Sequence, residues 1–217
     1  MINTLLIAAL TINVLIVDTG LFPTNEMVPY ISDYEPDFHG HGTMMTSLIL
    51  FGDLKSKDPV CKEVRVTVCN YLDYKNDSSM ECLDKLTKNT YDIVNISGGG
   101  YSKQPKEDSI IKGAKGNPII VAAIGNDNKD ITKHNFYPAY LSFEGVRNVL
   151  AIGNGTSLYN KSINSNWATH SIIWIDGNNK LAYDNFSQIV PASGTSISAA
   201  LYTHKLLKEK CSLIHSK

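Results

Sequence analysis

Arginine is nearly missing from this chain: Arg65 and Arg147 are the only two. Lysine carries almost all of the positive charge and no basic run stands out, which argues against the planar, two-pronged recognition of phosphate that arginine provides. The formal net charge of −1 leaves no long-range field to gather nucleic acid or an anionic membrane. None of the four cysteines, Cys61, Cys69, Cys82 and Cys211, belongs to a Cys-x-x-Cys pair, so a zinc ribbon or a thioredoxin-type motif is disfavoured. Two disulfides in any of three connectivities, or four separate thiols, remain open. No internal repeat and no low-complexity linker divides the 217 residues. The chain reads as one domain able to bury its own core.

Long apolar runs are also scarce. Residues 1–17 are mostly apolar, but that is short of a comfortable membrane span. No lysine or arginine precedes the apolar stretch Leu5–Leu10. Residues 1–11 are expected to be a signal remnant, with export to a secreted or periplasmic location; an extra buried segment of a cytoplasmic protein is the alternative. Residues 12–217 are then the functional domain.

What the chain does have is a series of short β-branched runs without polar alternation, the mark of parallel strands covered on both faces. Strands are expected near Val14–Val17, Val64–Val68, Ile93–Ile96, Ile119–Ala123, Val149–Ile152 and Ile172–Ile175. Helices are expected near Thr43–Phe51, Ser79–Lys88, Glu107–Lys115 and Ser196–Lys210, with Gly116 and Pro118 ending the third. The alternation predicts an α/β three-layer sandwich with a mostly parallel central sheet. The stretches Lys55–Lys62 and Asn154–Asn166 read as surface loops.

In such a sheet, ligands bind beyond the carboxyl ends of the strands. The first strand runs straight into Asp18-Thr19-Gly20. An aspartic protease would need a second such aspartate to share its proton, and no other Asp-Thr-Gly or Asp-Ser-Gly occurs. A histidine-orienting carboxylate fits better. His41 heads one apolar helix and Ser196 heads another, giving the order Asp18, His41, Ser196. Esterases of the α/β-hydrolase type place histidine after serine and need Gly-x-Ser-x-Gly, which is not present here. Nor does a Gly-Lys-Ser/Thr follow "SGGGYS" to support nucleotide binding.

Five stretches in this order, "VLIVDTG", "HGHGT", "IVNISGGG", "IIVAAIGND" and "SGTSISAA", resemble the motifs of the subtilisin-like serine proteases, or subtilases. The likeness extends through "FYPAYL", "VRNVLAIGN" and "NSNWATHSIIWIDG" and covers residues 12–207. It implies a serine endopeptidase acting on polypeptides, with Ser196 as nucleophile, His41 as base, Asp18 as its orienting partner and Asn126 with the Ser196 N–H as oxyanion donors. It further implies that Ser97, Gly98, Gly99 and Gly100, with Ala123 and Gly125, bind substrate, the first four as an added strand. Because the family commonly has a larger apolar residue where Gly98 stands, a roomy side-chain site for bulky apolar or aromatic residues is expected. No cofactor is expected, since no loop shows the dense carboxylates of the calcium sites frequent in the family. Met44 where the family often has histidine, the twenty-one residues after Ser196 and the few before Asp18 depart from the pattern. A catalytically silent relative that binds peptide or protein is the alternative reading.

Overall fold

A computed structural model describes residues 11–71 and 78–216; the expected signal remnant lies almost entirely outside them. Seven strands form one sheet: β1 (Ile12–Asp18), β2 (Ile31–Tyr34), β3 (Val64–Asn70), β4 (Ile93–Ile96), β5 (Ile119–Ala123), β6 (Val149–Asn154) and β7 (Ile172–Ile175). Their spatial order is β2-β3-β1-β4-β5-β6-β7, and every pairing in it is parallel. Side chains alternate across the sheet because successive residues of a strand face opposite ways. Val14 and Ile16 of β1 join the core on one face and Leu15 and Val17 join the core on the other.

Helices α1 (His41–Phe51) and α4 (Thr195–His215) cover the first face. Helices α2 (Ser78–Lys88) and α3 (Pro105–Lys112) cover the second. The expected three-layer α/β sandwich is what the chain adopts. α1 is buried on nearly every side, so it shows no polar stripe, as suits a helix sunk between a sheet and its neighbours.

The six expected strands and four expected helices are all present, and Ile93–Ile96, Ile119–Ala123 and Ile172–Ile175 match residue for residue while the other elements have shifted ends. α3 stops at Lys112 with Gly113 following it, rather than running to Gly116. α4 extends to His215. Three strands escaped the sequence reading: β2, and the antiparallel pair β8 (Lys180–Tyr183) and β9 (Ile189–Ala192). All three are short and polar or half-exposed, and β9 contains Pro191. The stretch Asn154–Asn166 is not simply a surface loop. Asn154, Ser165 and Asn166 are buried at its two ends, where Asn154 accepts from Gly177 N–H at 2.8 Å and donates to Asn178 at 3.0 Å.

The cysteines pair as Cys61–Cys211 and Cys69–Cys82, with none free. The first ties the segment before β3 to the far end of α4, and the second ties the end of β3 to α2. Such cross-links belong to oxidising compartments such as the extracellular space. Among the described residues no helix is long and apolar enough to cross a membrane.

Candidate active site

β1 is flanked by β3 on one side and β4 on the other, so chain connections leave its carboxyl end in opposite directions and open a crevice there. Asp18 is the last residue of β1 and is fully buried. Its Oδ1 accepts Thr19 N–H at 2.9 Å and lies 2.6 Å from His41 Nδ1. Its other oxygen is buried with no hydrogen-bond partner. His41 is the first residue of α1, about a quarter exposed. Burial pulls the imidazole pKa down, but the charge and hydrogen bond of Asp18, with the charge of Asp37 behind them, outweigh it. The net result is a pKa above the ordinary 6.5.

Asp37 was not singled out from sequence, yet it holds this corner together. It is fully buried. Its Oδ1 accepts Thr19 Oγ1 at 2.9 Å, His39 N–H at 2.9 Å and Gly40 N–H at 2.6 Å. Its Oδ2 accepts Thr43 N–H at 2.9 Å and Thr43 Oγ1 at 2.7 Å. Asp37 thus caps the start of α1, whose first N–H groups have no partner within the helix. Through Thr19 it also ties the Asp18 strand end to the His41 helix, because Thr19 Oγ1 in turn accepts Gly42 N–H at 2.8 Å. Gly42 allows the two segments to meet: a β-carbon there would collide with the Gly20 carbonyl oxygen. A cap three residues before Gly40 and six before Thr43 was the available signal, in the form Asp-x-x-Gly-His-Gly-Thr. Replacing Asp37 with alanine strands three N–H groups and two hydroxyls in a dry site. The expected loss is about 3 kcal/mol or more of stability, read as a lowered urea midpoint.

Ser196 is the second residue of α4, so its N–H is one of the helix's unpaired donors and lies at the positive end of the helix dipole. Gly194, just before the helix, has φ +146° and ψ 175°, a backbone conformation that essentially only glycine adopts. The Ser196 hydroxyl donates to the Ser97 carbonyl at 2.8 Å. No hydrogen bond joins it to His41. Asn126 follows β5 and accepts Thr195 N–H on its Oδ1 at 2.9 Å, which fixes the side-chain amide beside the start of α4. Ala123 is the buried last residue of β5, and Gly125 accepts Asn166 N–H at 2.9 Å.

Ser97 follows β4. Its hydroxyl donates to Asn95 Oδ1 at 2.8 Å, and Asn95, fully buried, donates to Thr203 Oγ1 of α4 at 3.0 Å. This polar bridge from strand to helix was also missed from sequence, where Asn95 is one letter inside an apolar run. The expected substrate strand is shorter than the glycine run suggested. Gly100 already exchanges both backbone hydrogen bonds with Tyr137, at 2.9 and 2.8 Å. The ring of Phe136 stands beside Gly99. Among the described residues no three acidic, histidine or cysteine side chains gather as a metal-binding group.

A mostly parallel α/β sheet between two layers of helices is the fold of the subtilisin-like serine endopeptidases. The chain belongs to the subtilase family, whose model matches residues 23–209. That match begins beyond Asp18, whose assignment rests on its contact with His41. Solved structures agree in fold. A cold-adapted subtilisin-like serine proteinase superposes with a TM-score of 0.74 at 22% identity, over 94% of this chain and 78% of that one. The S218A mutant of the protease domain of PatA gives 0.75 at 19% identity, over 96% and 84%. The A-subunit of the AB5 toxin from E. coli gives 0.76 at 18% identity, over 94% and 79%. No curated protein is similar enough in sequence to count as a relative.

Proposed function

We propose that this chain hydrolyses peptide bonds through an acyl-enzyme, with Ser196 as nucleophile, His41 as general base and Asp18 as the group that orients it. The observation that carries this reading is the 2.6 Å contact of buried Asp18 with His41 Nδ1, beside an Asn126 whose oxygen is pinned to Thr195 N–H. The Asp18 contact places the ring proton on Nδ1 and leaves Nε2 with a lone pair. On substrate binding the Ser196 hydroxyl turns from the Ser97 carbonyl to His41, a tightening that resting sites commonly await. Its proton passes to Nε2 as Oγ bonds to the carbonyl carbon. The negative oxygen is held by Asn126 Nδ2–H and Ser196 N–H. His41 then gives the proton to the leaving amine as the C–N bond breaks, and water repeats the cycle in reverse. No cofactor enters.

A serine-directed fluorophosphonate is expected to label Ser196 and no other residue. Folded protein that takes no label would leave a peptide-binding relative in place of an enzyme. Asn126→Leu, which removes the side-chain donor, is expected to lower kcat by about 100- to 1,000-fold with little change in KM; the size is carried over from subtilisin, and steady-state kinetics on a chromogenic peptide checks it. The two disulfides support export as the setting of this activity.

A further inference from the structure

The two walls that would hold a substrate side chain already have a side chain between them. A peptide whose carbonyl carbon meets Ser196 Oγ, with its oxygen toward Asn126, must direct the side chain of that same residue between the segment after β4 and the segment after β5. Ser97 and Gly99 belong to the first, Gly125 and Asn126 to the second. A β-carbon built on Gly99 would lie 2.6 Å from Phe136 Cε1, and one built on Gly125 would lie 2.7 Å from Cε2 and 2.9 Å from Cδ2 of the same ring. These are opposite edges of one phenyl group. Glycine on both walls admits the ring, and the ring fills the space the glycines leave. Phe136 is only 8% exposed.

The ring is also held in place. Tyr101 packs edge-on against it with centroids 5.2 Å apart. The Tyr101 hydroxyl donates to Asp127 at 2.6 Å and accepts from Asn166 at 3.0 Å. Burial, with Asp127 beside it, pushes the Tyr101 pKa up to about 12, so the hydroxyl keeps its proton and the latch persists through neutral pH. The following residue, Tyr137, is clamped to Gly100 through both backbone groups.

We infer that Phe136 closes the slot for the residue before the cleaved bond, so that this chain cuts after small residues such as alanine, glycine or serine. The inference rests on the triad reading above. It runs against the expectation of a roomy site drawn from Gly98. An aromatic substrate side chain would need the volume that Phe136 holds, and interiors do not give up such volume without strain.

The test compares two tetrapeptide p-nitroanilides that differ only in the residue before the anilide, alanine against phenylalanine. Wild type is expected to favour alanine in kcat/KM by about 100-fold or more, the scale on which a pocket rejects a side chain too large for it. Phe136→Ala is expected to bring that ratio to unity or invert it. Wild type that cleaves the phenylalanine substrate as well as the alanine one overturns the inference and leaves the triad intact. If Phe136→Ala does not fold, the wild-type ratio still decides, as does the rate at which peptidyl phosphonates with methyl or benzyl side chains label Ser196. Absence of cleavage and of labelling by any probe overturns the triad reading, and this inference with it.

Discussion

Ser196→Ala is expected to cut kcat by about a million-fold while the protein keeps its fold and still binds peptide. That size is the one subtilisin shows on loss of its serine, carried over on the strength of shared family. The structure says why no neighbour would compensate. Ser198, two residues further along α4, has its hydroxyl committed to the Ile175 and Gly194 carbonyls at 2.8 and 3.2 Å. Ser97 has its hydroxyl committed to Asn95. Thr195 is fully buried. The residual activity should come from binding and from the oxyanion donors alone, which the substitution leaves in place. Casein and chromogenic peptide turnover measure the effect, with circular dichroism to verify folding. A loss under 100-fold would show that the nucleophile lies elsewhere.

Asp18→Asn is expected to lower kcat by about ten-thousand-fold near pH 7. Asp18 Oδ1 is asked to accept from both Thr19 N–H and His41 Nδ1. An asparagine can keep its oxygen in that place only by turning its NH2 toward the Oδ2 position, which is buried and has no partner. If it flips, its NH2 faces Nδ1, the imidazole carries its proton on Nε2, and that nitrogen can no longer accept the serine proton.

The pH profile separates this from simple damage. The base must be neutral to act, so activity rises as pH climbs through the His41 pKa. Asp18 and Asp37 hold that pKa above 6.5 against the pull of burial. Removing the Asp18 charge shifts the acid limb of kcat/KM to lower pH in the variant, even as its plateau falls. The same shift acts on stability with the opposite sense to activity. A folded pKa above the unfolded one means that His41 stabilises the fold fully below about 6.5, and that this contribution is lost as pH rises through the folded value. An acid limb that stays put in Asp18→Asn would overturn the role given to the carboxylate.

The core of the fold was legible because parallel strands are buried on both faces and so spell themselves as unbroken runs such as Val14–Val17 and Ile119–Ala123. β2, β8 and β9 were not, because strands at an edge or in a small ribbon carry polar and half-exposed residues that read as loop. The candidate triad was legible for a different reason. Each of its members sits at the end of an element, where a short motif carries both the turn and the reactive group.

What the sequence alone determined is therefore local: the buried strands and the helices between them, the parallel sheet, and Asp18, His41, Asn126 and Ser196 each in its own motif. Distance in the chain hid everything that depends on two segments meeting. Asp37 reads as an ordinary loop acid until five donors converge on it, and Asn95 as a flaw in an apolar strand until Thr203 of α4 comes within reach. The pairing of Cys61 with Cys211 spans 150 residues, and spacing does not select a partner at that range. Phe136 is the sharpest case. The expected roomy site was drawn from Gly98, because glycine's missing side chain is all that the letters record. Only the tertiary structure decided what occupies that space, since the ring that fills it comes from a third segment brought alongside by its backbone bonds to Gly100.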